Sequence, residues 1–328
     1  MKEKLLDLLA CPTCGGDLRL SYAGKYEDKE IIEGILACRK CLREYQIVRG
    51  VARFADLDKI EQDKADTAEN FGWQWTHFTQ ADTKYAEQFL GWLQPVGKEF
   101  FKDKIILEGG CGKGRHTSLA AEWGAKEVVG IDLSAAVESA FQATKHLPNA
   151  HIVQADIFKL PFKKVFDYAF SVGVLHHTPD PKKAFLSLAS KVKKGGHISA
   201  WIYGAENNEW ITNYVNPIRT GFTSKISQPT LYQLSKLPTL AVYLASKLIY
   251  KPLDKTSLGR KLFYHEYLTH LGGFGWREQH NIVFDHLVAP TAFYISRAAF
   301  ESWWGESGAK DVKIIWHNEN SWCGFGEL

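Results

Sequence analysis

The sequence predicts an α/β protein built on a doubly wound, mainly parallel sheet, with a small metal-binding domain before it and a helical insert late in it. Three observations predict this. Strand-like and helix-like runs alternate from residue 105 to residue 204. Two Cys-x-x-Cys pairs stand within the first 41 residues. An aromatic and basic stretch, 205–292, then breaks the alternation before a last helix and two strands restore it. The 328 residues, 45% apolar and 23% charged, suffice for one large domain plus a small one. A net charge of +3 does not by itself imply a nucleic-acid partner.

The first part is 1–55. Cys11-Pro-Thr-Cys14 and Cys38-Arg-Lys-Cys41 are knuckles that each offer one edge of a tetrahedron. Four thiolates are what a structural zinc site takes, and none of the four positions is left open for a substrate. The alternative, two disulfides or redox thiols, suits a secreted chain better than this one. Residues 1–10 do not read as a signal peptide, because Asp7 interrupts the leucines. The longest nearly apolar stretch, 237–250, contains Lys247 and is shorter than the about 20 residues a bilayer span needs. The expectation is a cytoplasmic protein.

The second part, 56–104, begins as a charged linker over 56–66. It continues through Phe71, Trp73, Trp75 and Phe78 into a helix around 85–93, a candidate lid. The third part, 105–328, carries the sheet. Strands are expected at 105–107, 128–131, 151–154, 166–172, 197–203 and 312–316, with a seventh after Ser321. Helices are expected at 117–123, 135–145 and 181–192, and a last one starts at the N-cap Ser296.

The strand at 105–107 runs into Glu108-Gly109-Gly110-Cys111-Gly112-Lys113-Gly114. Glycines let this backbone turn sharply and come close to a ligand, and the next helix start offers free N–H groups. The dinucleotide pattern Gly-x-Gly-x-x-Gly fails, since its sixth position holds Arg115 or Thr117. Acids close the next two strands, at Asp132 and Asp156. The fourth strand leads into Leu175-His176-His177-Thr178-Pro179, and Gly195-Gly196 precedes the fifth.

These segments together resemble the class I methyltransferases that use S-adenosylmethionine (SAM), and look most similar to the ubiquinone- and menaquinone-biosynthesis type. The resemblance covers roughly 100–204 and 293–328. It implies a Rossmann-like seven-stranded sheet and a SAM site at Glu108, Gly110, Cys111, Gly112, Gly114, Asp132, Leu133, Asp156, Ile157 and Ser171. Asp132 would take the ribose hydroxyls and Asp156 the adenine amino group. His177, or His176, would stand where the substrate pocket opens and could serve as a base. The first 55 residues resemble the small zinc-ribbon family that activates tRNA methyltransferases.

The implied activity is methyl transfer to an O, N or C nucleophile of a small or lipid-like metabolite. The alternatives are an RNA methyltransferase, with the ribbon docking nucleic acid, and a SAM-binding scaffold without turnover. The insert bears on this choice. Between 219 and 261 it holds eight basic residues and one acid, Asp254, with leucines at helical spacing. Pro229 should start a helix and Pro238 break one. Either two ordinary helices pack on the sheet with a solvated basic face, or the insert is a basic, apolar lid that touches a membrane peripherally. His280, Asp285, His286 and Tyr294, at its end, could also face substrate, but read mainly as structural.

Overall fold

The computed structural model describes residues 1–55, 61–77 and 85–328, apart from the side chains of residues 62, 63, 75 and 76. Phe78 and the Trp75 side chain therefore lie outside the described residues. Eleven strands form one sheet in the order β1-β2-β3-β4-β7-β6-β5-β8-β9-β11-β10. The seven expected strands are β5 (Ile105–Gly109), β6 (Glu127–Asp132), β7 (Ala150–Gln154), β8 (Phe166–Val172), β9 (Val192–Tyr203), β10 (Lys310–His317) and β11 (Ser321–Glu327). From β7 to β9 the neighbours run parallel. The hairpin partner β11 is antiparallel to both β9 and β10.

Apolar residues at successive positions leave opposite faces of each strand. Leu107, Val129, Val153 and Ala169 face helices α5 (Pro181–Ala189) and α12 (Arg297–Ser307), and there Trp303 and Trp304 pack against Phe185. Ile106, Val128, Tyr168 and Phe170 face the other way, toward α2 (Tyr85–Trp92) and α3 (Arg115–Glu122). Helix α4 (Val137–Thr144) covers Ile152 on that side. Asp180 and Ser296 cap α5 and α12 by accepting from the N–H groups of Lys183 and Ala299.

The ribbon is not a bead on a string. Its strands β1 (Leu18–Glu27), β2 (Glu30–Cys38), β3 (Glu44–Val48) and β4 (Val51–Arg53) continue the large sheet. The joint is parallel pairing of Ala52 with Val153 and Arg53 with Gln154. Leu5, Leu9, Leu36 and Ile47 belong to the same apolar cluster as Leu107 and Val153. Of the expected linker, residues 62–66 are helical, the start of α1 (Gln62–His77), and 56–60 lie outside the described residues.

The insert is helical. It holds α6 (Asn216–Gly221), α7 (Gln228–Leu234), α8 (Lys236–Ala245), a π-turn at Ser246–Tyr250, the single turn α9 (Lys251–Leu253), α10 (His265–Leu271) and α11 (Trp276–Val288). Pro229 lies in the first turn of α7, and the break at Ser235 comes three residues before Pro238, as the prolines dictate. Helix α11 packs on α1, where the Gln74 amide donates to Asn281 Oδ1 at 2.9 Å. Trp73 stacks on His77 and packs against Tyr232 and Phe284, so it holds α1 to the insert rather than covering a ligand.

One helix is inside out. Ser235, Thr239 and Ser246 are buried, while Leu237, Leu240, Leu244 and Leu248 are exposed. The reason is the surface beneath. Ser235 Oγ meets His280 Nε2 at 2.8 Å, and Ser246 Oγ meets Gln279 Oε1 at 3.2 Å. The polar side of α11 selects hydroxyls, and the leucines are left outside. Among the described residues no helix is long and apolar enough to cross a membrane.

Candidate cofactor and acceptor site

A cavity of about 280 Å³ opens at the carboxyl ends of β5 to β9, where doubly wound sheets bind ligands. Its floor is the glycine loop. Gly110, Gly112 and Gly114 hold φ of +82°, +50° and +80°, a region open to glycine and costly to other residues. A Cβ on Gly110 would also stand 2.3 Å from Val174 Cγ2. The loop is tied to β6, because the N–H groups of Gly110 and Cys111 both donate to the Ile131 carbonyl, at 2.9 and 2.7 Å.

Asp132 ends β6 at this floor. Gly112 N–H donates to its Oδ2 at 2.9 Å, and Ser134 donates to Oδ1 through N–H at 2.9 Å and Oγ at 2.6 Å. Its carboxylate is thus aimed before any ligand arrives. Asp156 lies two residues beyond the end of β7, on the same rim. Phe158 N–H caps its Oδ1 at 2.9 Å, and Lys64 of α1 reaches Oδ2 at 3.4 Å.

Of the ten residues expected at the SAM site, Gly110, Cys111, Gly112, Asp132, Leu133, Asp156 and Ile157 line the cavity. Glu108, Gly114 and Ser171 do not. Ser171 spends its hydroxyl on the Gly109 carbonyl, at 2.8 Å. Glu108 is buried behind the loop, where it accepts from Thr117 and lies 3.2 Å from His116 Nδ1. Burial pushes its carboxyl up to about 8. Cys111 is buried and its thiol is raised by burial, in keeping with a packing role.

The two histidines part company. His177 lines the cavity, but its Nδ1 is 2.7 Å from the Thr291 carbonyl and burial pushes its pKa down to about 3. His176 is wholly buried, its ring tilted against that of Tyr203 with centroids 3.9 Å apart, and is not part of the lining. A histidine that holds a proton so weakly is a poor base near neutral pH.

The far wall is built by residues that the sequence reading left mainly to structural roles. Helices α1 and α2 contribute Phe71, Gln88 and Trp92 to this wall. The insert contributes Tyr264, Tyr267, Asn281, Asp285 and His286, and Tyr294 follows it. Asp285 and His286 were expected to be structural, yet they face the cavity, whereas His280 does not. Asp285 accepts from Tyr203 OH at 3.2 Å and from Gln74 at 3.3 Å, and burial pushes its carboxyl up to about 6. Lys113 and Arg115 were legible in the glycine loop itself. Arg115 sits 4.1 Å over the Tyr85 ring, and Lys113 is brought down to about 8 by burial.

The second cluster is in the ribbon. The four sulfurs of Cys11, Cys14, Cys38 and Cys41 lie within 4.8 Å of one another. Cys11 and Cys41 are 3.7 Å apart, and Cys14 and Cys38 are 3.5 Å apart. A tetrahedron of about 2.3 Å zinc–sulfur bonds has an edge of about 3.8 Å, so these positions fit that ion. Lys40 and Cys41 N–H groups point at Cys38 Sγ, both at 3.4 Å, which favours a thiolate there. None of the four is in a disulfide.

Residues 107–200 match the family model of a methyltransferase domain, and residues 2–50 match that of a Trm112p-like protein. Each match covers less than a third of the chain, so it is similar to a methyltransferase domain over one stretch and to a Trm112p-like protein over the stretch before it. The strand order of the methyltransferase sheet and its loop at Gly110 to Gly114 agree with that assignment. Among curated relatives, the tRNA U34 carboxymethyltransferase of Pseudoalteromonas atlantica is 36% identical over 100 residues, covering 30% of this chain and 31% of the relative. The enzyme of the same name from Pseudoalteromonas translucida is 32% identical over 136 residues, covering 40% and 37%. The chain thus spans about a third of the length of the curated relatives it matches. These are tRNA enzymes by name, not the quinone-biosynthesis type that the motifs resemble. A solved complex of the Haloferax volcanii Trm112 methyltransferase activator aligns at 13% identity and a TM-score of 0.44, over 82% of this chain and 98% of that one.

Proposed function

We propose that this protein is a SAM-dependent methyltransferase whose zinc-bound ribbon is a fixed part of its fold. One observation carries the reading. A carboxylate, Asp132, is oriented by Gly112 and Ser134 beside a left-handed glycine loop, at the strand ends, inside the cavity. Asp132 would bind the ribose hydroxyls and Asp156 the adenine amino group. Lys64 would exchange its contact with Asp156 as the ligand enters. Arg115 and Lys113 are the nearby cations for the amino-acid carboxylate. SAM supplies a methyl group already activated on a sulfonium, so the chain's main task is to align a nucleophile behind it and exclude water. For an oxygen or nitrogen acceptor, Asp285 is better suited than His177 to take the proton. Zinc on the four cysteines would have no open position and would act structurally.

For the acceptor, the relatives' names and the Trm112p-like domain favour tRNA, with the enzyme acting in the cytoplasm. A lipid-like acceptor is the second reading, favoured by the exposed leucines of the insert that walls the cavity. A scaffold without turnover fits poorly with an intact loop and oriented acids. The test is methyl-labelled SAM incubated with fractionated extract and full-length protein. Label in tRNA supports the first reading and label in the lipid fraction the second. SAM binding with no label in any fraction overturns the enzyme.

A further inference from the structure

We infer that the outer face of α8, with the turn that follows it, rests on an anionic lipid surface. The inference concerns the outside of the insert and does not depend on which acceptor enters the cavity.

The first ground is the inversion of the helix. Thr239 is 0% exposed, whereas Leu237 is 76%, Leu240 45%, Leu244 46% and Leu248 69% exposed. Their spacing of three and four residues puts them on one stripe. Water is the wrong solvent for four aligned leucines, and contiguous apolar patches on soluble chains mark contact sites. The insert repeats the pattern at Tyr214, Ile218 and Phe222, also exposed and four residues apart.

The second ground is charge. Lys225, Lys251, Lys255, Arg260 and Lys261 are exposed. Asp254, the one acid between 219 and 261, is turned to His265, 3.4 Å away. Lysines flanking a leucine face are what an interfacial helix offers to anionic headgroups. Lys247 is not part of this set, because it donates to the Gly272 carbonyl at 2.7 Å.

Length and polarity together decide how the helix lies. The helical run from Lys236 to Leu253 does not meet the requirements of a span. It can therefore lie in the interface but not cross it. Charge and shape argue against the other occupants. A folded RNA would engage the cations through its phosphates, but four exposed leucines offer it neither charge nor an aromatic platform for its bases. A second copy would bring two basic faces together, which like charge opposes.

The experiment is sedimentation of the full chain with vesicles of phosphatidylcholine alone or mixed with phosphatidylserine. Binding is expected only to the anionic vesicles, and it should weaken as salt rises. Neutralising Lys251, Lys255, Arg260 and Lys261 to Gln should lower partitioning by about fivefold per cation, several hundredfold together. Leu237→Glu with Leu244→Glu should abolish it while the cations remain. Both variants change solvent-facing residues, so unchanged affinity for S-adenosylhomocysteine shows that they are folded. Wild type that ignores anionic vesicles overturns the inference. So does binding to both lipids alike. A tRNA mobility shift lost with the four cations but not with the leucines, in a chain that ignores vesicles, would assign the face to RNA instead. A dimer broken by the leucine changes, with no vesicle binding, would assign it to a second copy.

Discussion

Replacing Asp132 with Ala tests the cofactor site at its most ordered point. In the free protein its two oxygens accept three hydrogen bonds, from Gly112 N–H and from the N–H and Oγ of Ser134. A carboxylate held this way pays little to reorganise when two ribose hydroxyls arrive. Hydrogen bonds to a charged group contribute about 1.5–3 kcal/mol each. Two of them, at the low end, give about 3 kcal/mol, or about a hundredfold in affinity. Asp132→Asn keeps the size but loses the charge and turns one acceptor into a donor, so an intermediate loss of about tenfold is expected. The assay is calorimetric titration of S-adenosylhomocysteine into the full chain, with thermal unfolding as a control for loop collapse. Folded Asp132→Ala protein that binds with wild-type affinity would refute the assignment of the ribose to this carboxylate.

Three further outcomes follow from the geometry. Arg53 of β4 donates to Gln154 Oε1 at 3.0 Å, and Gln154 Nε2 donates to the Leu133 carbonyl at 3.0 Å, so the ribbon props the cavity wall. Arg53→Met should lower S-adenosylhomocysteine affinity by about fivefold with zinc content unchanged, and unchanged affinity by calorimetry would show that the prop is idle. Metal analysis should find one zinc per chain, lost from Cys14→Ser protein; because the ribbon shares a core with β7, chelation should speed hydrogen exchange in β7 as well as in residues 1–55, and exchange confined to the ribbon would contradict the shared core. Glu108, with its folded pKa raised to about 8 from 4.5, favours the native state when protonated, so its contribution is whole below about pH 4.5 and lost as pH rises through about 8. Glu108→Gln should flatten the stability decline across that window in urea unfolding, and an unchanged pH slope would rule Glu108 out as its source.

The sheet was legible because alternation of strands and helices is a strong local signal. Six of the seven strands fall within two residues of the expected runs where bounds were given, but β9 starts at Val192, so Gly195 and Gly196 lie inside it rather than before it. The acids at Asp132 and Asp156 were legible for a related reason, since each stands where an apolar strand run stops, at the end of the sheet that the glycine loop also occupies. Glu108 and Ser171 misled because strand position says nothing of which side of the loop a group is buried on. The parallel joint between Ala52 and Val153 was hidden, since neither strand's sequence names its edge partner. The far wall was hidden too. Asp285 lies on α11, and only the packing of α1 and the insert brings it beside Tyr203. The inverted helix was the hardest case. Its leucine spacing reads as a buried stripe, and the polar residues Gln279 and His280 beneath it are 33 and 45 residues away from the serines they bind.

The account rests on SAM occupying the cavity above the glycine loop. A crystal structure of the full chain with S-adenosylhomocysteine tests this most directly. Ribose hydroxyls are expected within hydrogen-bond distance of both Asp132 oxygens, the adenine amino group on Asp156 with Lys64 displaced, and the thioether sulfur facing the wall that holds Asp285. Ligand bound elsewhere, or an empty cavity at saturating ligand with Lys64 still on Asp156, would contradict it.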